Sequence, residues 1–368
     1  AQQHWQTVAG VLEGSRVECL LLTGHLAAGD RAAALEAIAA GDVQLVVGTH
    51  AVIQQDVDFQ RLGLAVIDEQ HKFGVVQRSR FSDSDETPHV LVMTATPIPR
   101  SLCLTQFGDL DVSTIDDLPP GRQPVVTSVV KDQATGQKMW RFVREQLEAG
   151  RQAFVVCPRI DATDEQGEGM GVEQTWQRLQ ADELADFPVG LVHGRMETEA
   201  KLAAMEAFRG GQLRALVATT VVEVGVDVPN ATLMVVFQAE RFGLSQLHQL
   251  RGRIGRGQFQ GYCFLVAGKS DESSEARLDV LEMHPDGFAV AEADFALRGP
   301  GDVLGTRQHG ELPLRVADLI DDREVLEQVR GAAFDLVRDG TIDGDDHRPL
   351  KTRVLDRFGQ LMELPQTG

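Results

Sequence analysis

Two sets of side chains in this sequence could act together on a nucleoside triphosphate. The first is an acidic quartet at residues 68–71, Asp-Glu-Gln-His, which ends the apolar run 64–67. An Asp at a strand end can hold Mg²⁺ through water, and a neighbouring Glu can polarise the water that attacks a γ-phosphate. The second is the segment 249–257, where three arginines stand between glycines. Arginine forks suit polyanionic phosphate and stabilise the charge that develops in its transfer, so the two sets predict triphosphate hydrolysis.

Taken singly, each of these signals has a simpler reading. An isolated Asp-Glu pair is usually two surface acids, and the Thr-Ala-Thr of residues 94–96 alone is more often a hydroxyl turn. The block 218–229 adds two hydroxyls and two acids after another apolar run. The order of the four blocks along the chain favours one shared site over four unrelated surface features.

A phosphate loop that would complete the site is not evident. The Gly-Lys-Ser of residues 268–270 has Cys263 five positions earlier, where such a loop requires Gly. Because it also follows the last apolar run of the second lobe, we interpret it as a helix start. We therefore expect the chain to be a C-terminal portion of a longer protein and to be inactive alone.

These groups need parallel sheets to position them. Apolar β-type runs alternate with helical patterns, as in a parallel sheet covered on both faces. The predicted strands are 45–47, 64–67, 90–93, 153–156, 190–192, 215–218, 233–237 and 262–266. The predicted helices between them include 32–40, 136–148, 172–184 and 197–208. In open sheets of this kind ligand groups lie at the carboxyl ends of strands, which is where the quartet stands.

Three regions follow from the pattern. The Pro-Pro-Gly segment within 117–122 breaks any element and divides an α/β lobe, 1–118, from a second, 119–268. Beyond residue 268 mainly helical patterns follow, at 272–283, 322–337 and 350–362. The Gly-rich stretch 286–310 favours an ordered loop, and Met283 and Phe295 are expected in the core.

Composition limits the function classes. The hydrophobic fraction is 43% and the charged fraction 24%, as in ordinary globular proteins, so we predict a cytoplasmic protein without a membrane span. The net charge of −20 argues against nucleic-acid affinity over the whole surface. Residues 119–268 hold 16 basic and 17 acidic residues, so an anionic ligand would fit best in this middle region.

Together these blocks resemble the superfamily 2 helicases, with motif II at 68–71, motif III at 94–96, motif V at 219–227 and motif VI at 249–256. Their residues are similar to those of the RecG family of bacterial branched-DNA translocases. The blocks that carry this resemblance are 48–51, 68–75, 118–122, 191–196, 240–249 and 297–308. The last block resembles a translocation motif that the family shares with the transcription-repair coupling factor. Lys72 and His309 depart from the usual Arg and Ser.

The resemblance implies a fold of two RecA-like lobes, the first incomplete, followed by a helical hairpin and a translocation loop. It also implies ATP and Mg²⁺ as cofactors. Asp68 would organise Mg²⁺, Glu69 would activate water, and Gln70 with His71 would sense the γ-phosphate. From the second lobe Arg253 and Arg256 would act as arginine fingers. Further nucleotide contacts would come from Gly225, Asp227 and Gln249.

The resemblance implies branched DNA, such as Holliday junctions and stalled forks, as the substrate in recombination and repair. The residues expected to contact DNA or to couple it to the nucleotide are Thr49, His50, Thr94, Thr96, Arg159, Arg195, Thr219, Thr220, Arg298 and Gln308. We expect a monomer with single-stranded DNA-binding protein as a partner. For Arg159 and Arg195 solvated surface positions stay open, and for Arg298 and Gln308 a packed interdomain loop does. A transcription-repair coupling factor and a noncatalytic DNA-binding module are the alternative functions.

Overall fold

The structure is a computed structural model. It describes residues 1–24, 26–68, 88–94, 111–115, 122–158, 171–219, 228–268, 272–298 and 322–362. The chain forms two compact units, one made of residues 1–95 and 332–368 and the other of residues 96–331. Among the described residues no helix has the length and apolar character needed to cross a bilayer.

The first unit contains two pairs of parallel strands. Its elements are helix α1 (Gln2–Val11), strand β1 (Cys19–Leu22), helix α2 (Ala28–Ala40), strand β2 (Leu45–Gly48), a 3-10 helix (His50–Ile53), strand β3 (Leu64–Ile67) and strand β4 (His89–Val92). β1 pairs with β2, and β3 pairs with β4. A small core forms where α2 covers the first pair, with Leu22 and Ile38 at its centre. The predicted strands at 45–47, 64–67 and 90–93 are confirmed within a residue or two.

The second unit is built on a six-stranded parallel sheet. Its strands are β5 (Val126–Val130), β6 (Gln152–Val156), β7 (Val189–Val192), β8 (Ala215–Ala218), β9 (Ala231–Phe237) and β10 (Tyr262–Val266). They lie in the order β5-β10-β9-β6-β8-β7. The central strands β6 and β8 are buried along their whole length, as expected for apolar runs in a sheet covered on both faces. The predicted α/β class of this lobe is confirmed.

Helices cover both faces of this sheet. They are α3 (Gln133–Glu148), α4 (Val172–Ala181), α5 (Thr198–Arg209), α6 (Leu244–Arg251), α7 (Glu272–Met283) and α8 (Gly287–Arg298). Alternate residues of β6 point to opposite faces: Ala153 and Val155 join the core with α3 and α4. Phe154 and Val156 join the core with α5 to α8. Because successive side chains of a strand point to opposite faces, one strand contributes residues to the core on each face of the sheet.

Helices α7 and α8 form a hairpin whose apolar side belongs to the core of the second lobe. Leu278, Leu281 and Val290 pack in the same cluster as the sheet residues. The predicted loop at 286–310 is wrong for residues 287–298, which form α8, because the glycines concentrate after residue 298 and the part before it has apolar residues at helical spacing. Phe295 is 3% exposed as expected, whereas Met283 is 66% exposed because it ends α7.

The remaining elements are helical. Helix α9 (Arg323–Arg338) is followed by two 3-10 helices, Thr341–Asp343 and Asp345–His347, and by helix α10 (Arg348–Met362). The two helices confirm the helical patterns predicted at 322–337 and 350–362. The predicted boundary at residue 268 stays a prediction, although the hairpin after it shares the core of the lobe before it.

Candidate functional site

The acidic group predicted to hold Mg²⁺ lies at the carboxyl end of a strand. Asp68 follows Ile67 at the end of β3, and Thr94 follows β4, its neighbour. The two strand ends are joined by a bond from the Met93 amide to the Ile67 carbonyl oxygen at 2.7 Å. Asp68 is exposed, and its Oδ2 lies 3.5 Å from Nε2 of His4. An accessible carboxylate oxygen is a donor that Mg²⁺ prefers, so Asp68 fits the ion. Glu69, Gln70, His71 and Thr96 lie outside the described residues.

Thr49 and His50 lie at the carboxyl end of β2, in the same unit. The Thr49 amide donates to the carbonyl of Leu22 at 3.3 Å, which fixes the turn into the 3-10 helix. The preceding Gly48 has no room for a side chain, because a Cβ there would lie 2.0 Å from Cγ2 of Val52 and 2.4 Å from the Leu22 oxygen. Thr49 and His50 are exposed, so the geometry leaves both able to contact a ligand.

The arginine segment begins at the end of helix α6. Leu250 and Ile254 are fully buried in the core and anchor this segment against the sheet. The three arginines of this segment have side chains with different degrees of burial. Arg251 is 4% exposed, Arg253 is half-buried and Arg256 is exposed. One short sequence thus provides three separate environments.

Arg251 does not face a phosphate site. Its guanidinium donates to the main-chain oxygens of Leu281 at 3.0 Å, His284 at 2.9 Å and Pro285 at 2.9 Å, at the end of α7. Burial lowers the pKa of Arg251 from its ordinary value, and those carbonyls compensate the buried cation. The expectation that all three arginines suit phosphate is therefore wrong for Arg251, because the hairpin packs over the position from which it leaves α6.

His248 supports this arrangement from the preceding turn of α6. Its Nδ1 lies 2.9 Å from Nη2 of Arg251. Burial, followed by the charge of Arg251, lowers the pKa of His248 to about 4. The ring is therefore neutral near pH 7, and its Nδ1 can accept a hydrogen bond from the guanidinium.

Arg253 and Arg256 stand in the turn that follows α6. The Nε of Arg256 donates to the carbonyl of Gly252 at 3.2 Å. The same oxygen accepts a bond from Nη2 of Arg122 at 3.0 Å. An exposed guanidinium attached to a well-anchored turn can reach an anion without rebuilding the backbone. The role of Arg256 as an arginine finger stays a prediction. Gln249 is half-buried on α6.

The arginine segment lies against Pro229 and Ala231 at the amino edge of the sheet. The Gly255 amide donates to the oxygen of Ala231, the first residue of β9, at 3.4 Å. A Cβ on Gly257 would lie 2.6 Å from the oxygen of Pro229. Gly255 has a φ of +66°, which favours glycine. The arginine segment therefore contacts the described residues that follow motif V along the chain. Asp227 and Gly225 themselves lie outside the described residues.

Two of the residues predicted to contact DNA, Thr219 and Arg195, lie at the opposite edge of the sheet. Thr219 follows β8, and Arg195 lies in the turn after β7, the neighbouring strand. The Thr219 amide donates to the oxygen of Val192 at 3.4 Å, and Nζ of Lys201 donates to the oxygen of Gly194 at 2.9 Å, which holds this turn. Arg195 is exposed and Thr219 half-buried. Arg159, Thr220 and Gln308 lie outside the described residues. Arg298 is the last residue of helix α8.

Sequence reasoning missed several residues that organise this site. Arg122 was noted only as part of the linker pattern, and Arg277 was not noted at all, although its Nη2 donates to the oxygen of Phe242 at 2.8 Å. His248 was seen only inside a motif. A basic residue next to a motif gives no signal of its own, because its partners are main-chain oxygens that any sequence would supply.

Comparisons with known proteins match this chain to helicase families. Family models match in three places: DEAD/DEAH box helicase at residues 1–104, helicase conserved C-terminal domain at 137–258, and ATP-dependent DNA helicase RecG, domain 3, C-terminal, at 284–362. The last match favours RecG over the coupling factor for the region after the second lobe.

Curated relatives carry the name ATP-dependent DNA helicase RecG. The protein of Synechocystis sp. is 46% identical over 98% of this chain and 43% of its own length. That of Bacillus subtilis is 43% identical over 92% of the chain and 49% of its own length. That of Escherichia coli K12 is 45% identical over 90% of the chain and 48% of its own length. The chain thus spans about half the length of the curated relatives it matches.

Solved structures give the same result. A structure of RecG bound to a three-way DNA junction is 40% identical, with a TM-score of 0.66, over 89% of this chain and 42% of that one. The helicase Lhr of Mycobacterium smegmatis, bound to single-stranded DNA and AMP-PNP, is 16% identical with a TM-score of 0.54 and supports the fold alone.

Proposed function

The chain belongs to the RecG family and corresponds to the carboxyl-terminal part of its members, and from this we propose that it is the motor and C-terminal part of an ATP-dependent DNA helicase. The proposed substrates are Holliday junctions and stalled replication forks, in recombination and repair. The related RecG structure is bound to a three-way DNA junction, which supports branched DNA as the ligand class. We further propose a cytoplasmic monomer with single-stranded DNA-binding protein as a partner.

The observation that carries the proposal is the division of the second lobe. Thr219 and Arg195 lie at the carboxyl edge of the six-stranded sheet, whereas Pro229, Gly255 and the arginine turn lie at its amino edge. Thr219 begins motif V, and Pro229 is the second residue after that motif in the sequence. A lobe of this kind can contact DNA on one side and nucleotide on the other, as a translocase needs.

The nucleotide chemistry rests on charge. Arg253 and Arg256 would stabilise the negative charge that develops on the transferred phosphoryl group. Asp68 would hold Mg²⁺, which supplies charge neutralisation at the phosphate oxygens when it is bound. Glu69 would orient the attacking water, and Gln70 with His71 would respond to the γ-phosphate. Gly225, Asp227 and Gln249 would complete the nucleotide contacts.

The DNA contacts rest on hydroxyls, amides and arginines, which position a duplex without reading its sequence. Thr49, His50, Arg195 and Thr219 are the described members of this group. Arg159 and Thr220 would extend it along the second lobe. Thr94 and Thr96 would couple it to the nucleotide. Arg298 and Gln308 would act on the duplex from the segment that follows the hairpin.

The test is a phosphate-release assay with forked DNA. The chain alone should show no turnover, whereas the chain joined to the amino-terminal half of the Bacillus subtilis relative should hydrolyse ATP when the fork is added. Arg256→Ala in the fused protein should reduce kcat by about 10³ or more, as expected for an arginine finger. Arg209→Ala, at the end of α5, is the matched control. A folded, DNA-binding fused protein without turnover would contradict the proposal, and robust turnover by the chain alone would contradict its fragment status.

A further inference from the structure

We infer that Phe259 and Arg151 form a stacking platform for the purine base of the nucleotide. The inference rests on the proposed function, because it adds a base contact to the phosphate contacts proposed for Arg253 and Arg256. Phe259 would touch the base and determine specificity, whereas Arg151 would position the ring. All the contacts that carry the inference lie within the second unit.

The two side chains of the platform lie against each other at the surface. The guanidinium carbon of Arg151 lies over the Phe259 ring, 3.2 Å from its centre. Phe259 is nevertheless 47% exposed, so part of the ring stays open to a ligand. Aromatic rings and guanidinium planes are surfaces on which proteins stack nucleobases. The pair therefore has the chemistry of a base site.

A hydrogen-bond network fixes Arg151 at the amino edge of the sheet. Its Nη1 donates to Oδ1 of Asn230 at 3.2 Å. Nδ2 of Asn230 donates in turn to the carbonyl of Gly150 at 2.8 Å and to Oε1 of Gln152 at 3.3 Å. Gln152, the first residue of β6, is 1% exposed, and its Nε2 donates to the carbonyl of Leu213 at 2.9 Å. Because the network is rooted in a buried side chain, Arg151 is held over the ring before a ligand binds.

The platform lies beside the turn that carries Arg256. Pro229, whose oxygen would lie 2.6 Å from a Cβ on Gly257, directly precedes Asn230. Phe259 is three residues beyond Arg256, and a stretch of three residues spans at most about 10–11 Å. A guanidinium for the phosphates and a ring for the base can therefore contact the two ends of one nucleotide.

A base of DNA is the other ligand that could stack on Phe259. The residues proposed to contact DNA in this unit, Thr219 and Arg195, lie at the opposite edge of the sheet from Arg151 and Gln152. This placement favours the nucleotide. A contact with the face of a base does not read its hydrogen-bonding edge. The platform would therefore favour purines over pyrimidines, which present a smaller face, without separating adenine from guanine.

The experiment measures nucleotide binding by the fused protein with isothermal titration calorimetry. Phe259→Ala should raise the Kd for ADP by about fivefold or more, the loss expected when one stacked base is released. The Kd for CDP should rise less, so the preference for ADP over CDP shrinks. The Kd for inorganic tripolyphosphate, which has no base, should stay unchanged. Phe259→Trp should keep the affinity for ADP.

Phe334→Ala is the matched control, because Phe334 on α9 is 45% exposed, and it should leave all three Kd values unchanged. A purely structural role for Phe259 predicts equal weakening of ADP, CDP and tripolyphosphate. Equal weakening of the three ligands in Phe259→Ala, or an unchanged Kd for ADP, would overturn the platform. Weaker binding of single-stranded DNA with an unchanged Kd for ADP would assign Phe259 to DNA and overturn it as well.

A second measurement locates the base directly. Azido-ADP, with the azide on the adenine ring, should label the peptide that contains Phe259 when it is photolysed with the fused protein, and excess ADP should prevent this labelling. Labelling confined to other peptides would overturn the platform. If the fused protein binds ADP without hydrolysing ATP, the proposed function fails while both measurements still decide the platform. A fused protein without affinity for ADP would overturn both.

Discussion

Gly257→Ala is the sharpest test of the contact between the block 218–229 and the arginine segment 249–257. An added Cβ would lie 2.6 Å from the carbonyl oxygen of Pro229 and 3.4 Å from its carbonyl carbon. Carbon and oxygen atoms in favourable contact are about 3.3–3.6 Å apart, so one backbone must move by roughly 0.7–1 Å. Neither partner is a flexible side chain. The motif VI turn is anchored at Ile254, and Pro229 lies just before the buried strand β9.

Overpacking of this kind lowers the free energy of unfolding by about 1–3 kcal/mol. In a unit of this size, each kcal/mol lowers Tm by about 2–4 °C, so Gly257→Ala should melt roughly 2–12 °C below the parent. The displaced turn should also reduce DNA-dependent ATP turnover in the fused protein. Differential scanning calorimetry and the phosphate-release assay check both effects.

Gly136→Ala is the matched control, because its Cβ would meet no atom closer than Cγ1 of Val130 at 3.9 Å. It lies in helix α3, where Ala is favoured over Gly by about 0.5–1 kcal/mol. Its Tm should therefore rise slightly. A Gly257→Ala protein with the parent's Tm and turnover would refute the close contact between Gly257 and Pro229.

Three further predictions concern single side chains. Because burial and Arg251 lower the pKa of His248 to about 4 from 6.5, the unfolded chain binds more protons between these values, and stability is lost as pH falls through them. In urea melts, the parent should lose about 2 kcal/mol more of its free energy of unfolding between pH 7 and pH 5 than His248→Gln loses. The Gln side chain can still accept a hydrogen bond from Arg251. Arg195→Ala should weaken fork binding and lower the slope of log K against log salt by about one, without moving Tm; an unchanged slope would exclude a phosphate contact. Arg256→Lys should keep ATP binding but lower kcat, because an ammonium lacks the planar fork; a kcat equal to the parent's would exclude the finger role.

The strand pattern could be predicted because its signal is local. Residues 215–218 and 262–266 are short apolar runs between polar segments, and such runs form strands wherever both faces of a sheet are covered. Strands β1 and β5 were missed, since Val126–Val130 includes polar residues and lies at the edge of its sheet, beside a helix. The residue pattern did not predict helix α8, because the glycines beyond residue 298 favour a loop over the whole stretch 286–310, and a helical hairpin was expected only from the resemblance to RecG.

The candidate site was predictable to the level of motifs. Asp68, Arg195, Thr219 and Arg256 lie at strand ends or turns where a ligand could reach them, as expected from their places after apolar runs. The relation between motifs was not predictable. That Gly257 touches Pro229 depends on where α6 returns the chain to the amino edge of the sheet, and this is a property of packing.

The sequence by itself determined the α/β pattern, the order of the motifs and the family to which they belong, because each is carried by residues close together along the chain. Only the tertiary structure decided which surroundings each arginine has. Arg251, Arg253 and Arg256 stand within six positions of one another, yet the first is buried against the hairpin and the last is exposed. The direction of a side chain depends on where its helix ends and on what packs there, and the hairpin comes from residues that lie beyond the next strand.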